Sequence, residues 1–121
     1  MWTVALAPEF EPEIRALPAE VRIELLAQVR VVERFGPTAG RPRVDTLKGS
    51  KHANMKELRF DAEGAVWRIA FAFDPERKAI LLVAGDKSGQ SERMFYRRLI
   101  ATADKRFDAH LEWVKGRRTR K

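Results

Sequence analysis

The chain has 121 residues, 45% of them hydrophobic, and a formal net charge of +7. That length and composition fit one globular domain over 1–121 with a modest core, and argue against wholesale disorder. With no cysteine, disulfides and thiolate chemistry are excluded, and two unpaired histidines give no metal-ligand pattern, so no metal or cofactor is expected.

Thr3–Leu6 reads as a short strand that Pro8 ends. Phe10, Ile14 and Leu17 fall at i, i+4 and i+7, one face of a short helix. Pro18 suits the first turn of a second helix, where its missing N–H costs nothing. Val21, Leu25, Val29 and Val32 form its apolar stripe, and Gly36-Pro37 should end it near Phe35. The two helices are expected to form an antiparallel hairpin on a sheet. Residues 36–54 carry Gly36, Pro37, Gly40, Pro42 and Gly49 and read as a long basic loop. Three strands follow: Met55–Phe60, Ala65–Phe73 and Ala79–Ala84. Turns over Asp61–Gly64 and Asp74–Lys78 join them, with Gly64 able to take positive φ and Pro75 suited to a turn. Ser91 is a plausible N-cap for a last segment in which Phe95, Leu99, Ala103, Phe107 and Leu111 recur every four residues. It reads as one helix, or two with a break near Ala103-Asp104. The basic end over 115–121 is expected to fray. The order β-α-α-β-β-β-α defines an α+β domain.

Charge is distributed unevenly. Residues 1–40 carry −2, 41–60 carry +4, 61–103 carry +1 and 104–121 carry +4. A basic loop and a basic C-terminal end suggest a polyanionic partner, nucleic acid. Arg41, Arg43, Lys48, Lys51 and His52 lie in this loop, a candidate nucleic-acid-binding arm. No apolar run reaches the ~20 residues that span a bilayer. The opening residues also lack a signal-peptide pattern, so a cytoplasmic location without a membrane partner is expected.

Ala65–Phe73 carries the main chemical clue. Ala65, Trp67, Ile69, Phe71 and Phe73 share one apolar face, so Trp67 and Phe71 read as core. Arg68 stands on the other face among small side chains. Arg59 on the preceding strand and Lys87 just past the next are placed to join it on one concave surface, suited to a phosphate. A structural alternative is a cross-strand pair between Arg68 and Glu57. His110 reads as structural or surface.

The segments LKGSKHANMKELRF, AVWRIAFAF, AILLVAGDKSG and MFYRRLIATADKRFDAHL, in that order, resemble the RelE/ParE toxin superfamily of type II toxin–antitoxin systems. Within it the chain is most similar to the phage-derived Gp49-like group that includes HigB-type toxins. The resemblance implies a RelE-like fold: a small, mainly antiparallel sheet, an N-terminal helical hairpin and a C-terminal helix. It implies an endoribonuclease that cleaves messenger RNA at the ribosome without metal, and a cognate antitoxin, a HigA-like helix-turn-helix protein. The chemistry needs a proton acceptor for the 2′-hydroxyl, cations for the phosphate and a donor for the 5′-oxygen. Arg68 and Arg59 match the family's strand positions and Lys87 the lysine after the third strand. Lys51, Lys56 and His52 are candidate bases, and Tyr96 a candidate proton donor or base-stacking ring. Where some members end in Tyr or His, this chain ends in KGRRTRK. Two other readings share the fold: a ParE-like gyrase poison without nuclease activity, and an inactive nucleic-acid-binding relative.

Overall fold

A computed structural model describes residues 1–119. The elements are β1 (Thr3–Leu6), α1 (Phe10–Arg15), α2 (Ala19–Phe35), a 3-10 turn (Gly36–Thr38), β2 (Val44–Thr46), β3 (Met55–Ala62), β4 (Ala65–Phe73), β5 (Lys78–Asp86) and α3 (Glu92–Thr119). The strands form one sheet in the order β1-β5-β4-β3-β2. β1 runs parallel to β5, and every other pair is antiparallel. The α+β expectation, with a mainly antiparallel sheet and a C-terminal helix, describes the molecule; α1 and α2 lie in the chain between β1 and the other strands.

Local chemistry explains where boundaries moved. β2 lies inside the stretch expected to be loop, and pairs Val44, Asp45 and Thr46 with Leu58, Glu57 and Lys56. Three residues are too few to show a period-two pattern. β3 continues through Asp61 to Ala62, because only Glu63 and Gly64 form the turn. Both take positive φ, 53° and 70°. That is the backbone a two-residue hairpin with right-handed strand twist requires. Pro18 is the residue before α2 rather than its first helical one. α3 is a single helix with no break at Ala103-Asp104; Ala103 is fully buried and the apolar stripe passes through it. The helix also takes in 115–119, where fraying was expected, while 120–121 lie outside the described residues.

The sheet is covered on both faces. Ile69 and Phe71 are fully buried on the face toward α2, whose Val21, Leu25 and Val32 are buried as well. Leu81, opposite Phe71, lines a groove with Leu25, Leu26 and Val29 of α2. The other face of β4, with Arg68, Ala70 and Ala72, is closed by α3. The small side chains of Ala70 and Ala72 thus make room for a helix. Burying Phe71 or Ile69 contributes about 1.5–3 kcal/mol each. No helix among the described residues is long and apolar enough to cross a membrane.

Asp74 ties α3 to the turn between β4 and β5. Its carboxylate accepts the Glu76 and Lys78 backbone N–H groups at 2.9 Å, and the His110 ring Nε2 lies 2.7 Å away. His110 is therefore structural. Burial alone pushes the Asp74 carboxyl up, but the hydrogen bonds from His110, Lys78 and Glu76 outweigh it and hold it below its ordinary value of 3.8. A depressed carboxyl stabilises the fold above its unfolded value, and that contribution is lost as pH falls through the lower folded value. Asp74→Asn should cost about 1–3 kcal/mol at pH 7. Its melting temperature should also fall less than that of the wild type on going from pH 5 to pH 3, read by circular dichroism.

Candidate active site

The strand register assembles the site. Arg59 lies opposite Arg68 across β3 and β4, and Arg68 lies opposite Gly85 across β4 and β5. Directly paired residues share a face, and Glu57, two positions before Arg59, shares it too. The first turns of α3 close this face. Ser91 caps the helix, its hydroxyl accepting the Met94 N–H at 3.2 Å, and the following turn delivers Phe95 and Tyr96. A Cβ at Gly85 would lie 3.0 Å from the Phe95 ring. The missing side chain on β5 is what admits Phe95 beside Arg68.

One carboxylate oxygen joins these groups. Glu57 Oε1 accepts the Tyr96 hydroxyl at 2.8 Å. The same oxygen lies 3.6 Å from Arg68 Nε and 3.7 Å from Arg59 Nε, ion-pair separations longer than a good hydrogen bond. The cross-strand pair between Arg68 and Glu57 is therefore present, and it lies inside the arginine cluster. The Arg68 guanidinium carbon sits 5.4 Å from the Phe95 ring centre and 5.6 Å from that of Tyr96. Its side chain is 5% exposed, against 43% for Arg59. Buried Arg68 Nε has no hydrogen-bond partner among the described residues, and its Nη1 reaches only the Val66 carbonyl, at 3.5 Å. The buried guanidinium is thus held by the Glu57 charge and by two ring faces. Burial, and then the bond to Glu57, push the Tyr96 hydroxyl up to about 12. The Tyr96 phenol therefore stays protonated at neutral pH.

Lys87 is exposed, and with Ser88 it lines a cavity of about 280 Å³ together with Gly64, Ala65, Val66 and Arg68. Arg59, Arg68, Tyr96 and Lys87 are therefore brought to one region. Lys56 is not: it lies opposite Phe71, so it points to the other face of the sheet. Lys51 and His52 are held elsewhere. The Lys51 ammonium pairs with Asp108 of α3, His52 Nε2 lies 2.8 Å from the same carboxylate, and the Ser50 hydroxyl donates to Asp104 at 2.5 Å. Asp108 follows Tyr96 by twelve positions, about 18 Å along a helix. The hydrogen bond from Lys51 holds the Asp108 carboxyl below its usual range, and the same bond raises Lys51. A lysine raised in this way is a poor base, which removes the reason for choosing Lys51. Arg43 stays near the cluster, its carbonyl accepting the Arg59 N–H at 2.8 Å. Arg41 pairs with Asp45 at 3.1 Å, and Lys48 is exposed. No group of three or more His, Cys, Asp or Glu side chains able to hold a metal ion forms among the described residues.

Sequence reasoning missed the joint role of Glu57 and the cover supplied by Phe95. The available signal was spacing: Glu57 precedes Arg59 by two, which places both on one strand face. It also missed the clasp between 50–52 and α3, whose partners are more than fifty residues apart. Asp104→Ala removes acceptors for both the Ser50 hydroxyl and the Lys51 N–H. Losing a bond of about 1 kcal/mol should raise amide exchange at Lys51 and His52 several-fold and leave β4 unchanged.

The fold has a solved counterpart. A mutant of the Escherichia coli toxin RelE in its free state superposes with a TM-score of 0.53 at 14% identity, over 83% of this chain and 94% of that one. The domain therefore has a RelE-like fold. Residues 12–108 match the family described as "Phage derived protein Gp49-like", and the chain belongs to that family. Two relatives from Mycobacterium tuberculosis are 44% identical to it. One, described as putative toxin HigB2, aligns over 81% of this chain and 49% of its own length. The other, putative toxin HigB3, aligns over 85% and 88%. The chain thus spans about half the length of the first relative and most of the second.

Proposed function

We propose that this protein is the toxin of a toxin–antitoxin pair and an endoribonuclease that cuts messenger RNA on the ribosome, in the cytoplasm. The observation that carries the reading is Arg68, a guanidinium that lies opposite a second arginine across the hairpin and lines the cavity beside Lys87. A phosphodiester oxygen is a fitting acceptor for that group, and Arg59 extends the grip toward solvent. As the 2′-oxygen attacks, charge rises on the equatorial phosphate oxygens, and two fixed guanidinium groups stabilise that state more than the ground state. Lys87, at the rim of the cavity shared with Arg68, meets an adjacent phosphate. Arg43 and Lys48 lead the backbone in, with Arg41, Lys51 and His52 at a second, more distant contact. Lys56 takes no part. The toxin descriptions of the relatives and of the RelE structure support the biological setting. A HigA-like helix-turn-helix antitoxin is the proposed partner.

One observation favours a second reading. With 5% of its side chain exposed and Glu57 against it, Arg68 also resembles a structural ion pair, as expected of a gyrase-poisoning relative that uses the same fold without cutting RNA.

Mapping of transcript 5′ ends in a purified translation system separates the two. The nuclease reading expects new ends within codons, dependent on ribosomes and lowered roughly 10²–10³-fold by Arg68→Ala, the effect of removing one oxyanion donor worth about 2.7–4 kcal/mol. No new transcript ends with or without ribosomes, from a protein whose expression arrests cell growth, would favour the gyrase reading.

A further inference from the structure

The nuclease reading leaves the proton acceptor unassigned, and the geometry narrows the choice. Lys56 faces away from the arginines, and Lys51 and His52 are held at Asp108. Among the described residues, Glu57 is the one carboxylate within ion-pair distance of Arg59 and Arg68, and it also receives the Tyr96 hydroxyl. Its neighbours from each packed element are Arg59 on its own strand, Arg68 on β4, Tyr96 on α3 and, across β2, Asp45.

We propose that Glu57 accepts the proton of the attacking 2′-hydroxyl and that Tyr96, hydrogen-bonded to the same carboxylate, gives its proton to the leaving 5′-oxygen. The assignment rests on the nuclease reading. A carboxylate has lone pairs for more than one donor, so the bond from Tyr96 leaves room for the 2′-hydroxyl. The 2′-oxygen forms its bond to phosphorus as its proton moves to Glu57. The bond from phosphorus to the 5′-oxygen breaks, and the phenol protonates that oxygen. Glu57 then returns its proton to Tyr96 across the 2.8 Å hydrogen bond. The products are a 2′,3′-cyclic phosphate and a 5′-hydroxyl, and the enzyme ends as it began. A phenol held at about 12 keeps its proton until an alkoxide, a stronger base, demands it. Arg68 lies against both groups and stabilises the anion on whichever of them is deprotonated.

The test uses ribosome-bound messenger RNA with either oxygen or sulfur at the 5′ bridging position of the cut. A thiolate leaves without protonation. Tyr96→Phe should slow cleavage of the oxygen substrate roughly 10²–10⁴-fold, the usual share of one proton-transfer group, yet cut the sulfur substrate at the wild-type rate. Glu57→Gln should slow both substrates alike. In Glu57→Ala, added formate and acetate should restore cutting, acetate more than formate because it is the stronger base. Melting curves establish that each variant is folded, and the Tyr96→Phe comparison stands if neither Glu57 variant folds. Equal losses on both substrates for Tyr96→Phe would overturn the donor role. Wild-type rates in Glu57→Gln, or restoration indifferent to carboxylate basicity, would overturn the acceptor role. If the wild type cuts neither substrate, the nuclease reading fails and this assignment falls with it.

Discussion

The structure depends on how one buried charge is kept. Arg68 sits in the middle strand of the sheet, beneath a helix, with Glu57 on one side and two aromatic faces above it. Taking a guanidinium out of water costs several kcal/mol unless a counter-charge and ring faces replace the solvent. Glu57 supplies the counter-charge, and its position is fixed by the register that also places Arg59 beside Arg68. Phe95 and Tyr96 supply the rings, and Phe95 fits there because β5 carries glycine at position 85. Breaking such a pair from one side leaves an uncompensated charge and typically costs about 3–5 kcal/mol. The same few contacts hold the first turns of α3 over the arginine pair that the β3–β4 register sets.

Much of the fold was legible because its signals are local. The apolar residues of Ala65–Phe73 recur with period two, and the predicted strand has the observed bounds. The stripe through Phe95, Leu99, Ala103 and Phe107 announces α3. β2 escaped because Val44–Thr46 is held by its partners on β3 rather than by its own pattern. That both faces of β4 are buried was also hidden: alanines at 70 and 72 read equally well as an open cleft or as a seat for a helix. The α3 side chains settle it, and the surface expected to be concave is largely roofed.

The site was legible in part for the same reason. Arg59 and Arg68 are neighbours across one hairpin, a distance set by a two-residue turn, so sequence sufficed to pair them. Glu57 appeared only as a competitor for Arg68, because its bond to Tyr96 spans thirty-nine positions and joins a strand to a helix. The loop arginines and lysines read as a nucleic-acid-binding arm from charge alone. Charge does not reveal the acidic residues at 104 and 108 that clasp part of that arm to α3.

The proposed double role of Arg68, structural cation and phosphate-binding group, can be tested on the guanidinium itself. Its Nε–H can be followed directly by proton–nitrogen correlation NMR while an RNA oligonucleotide, made uncleavable by a 2′-deoxy substitution, is added. If Arg68 binds phosphate, the Arg68 and Arg59 Nε–H signals shift together and saturably, and the Arg106 signal, from a guanidinium already bonded to Glu13 and the Leu82 carbonyl, stays in place. Saturable shifts elsewhere on the protein with Arg68 unmoved would contradict it.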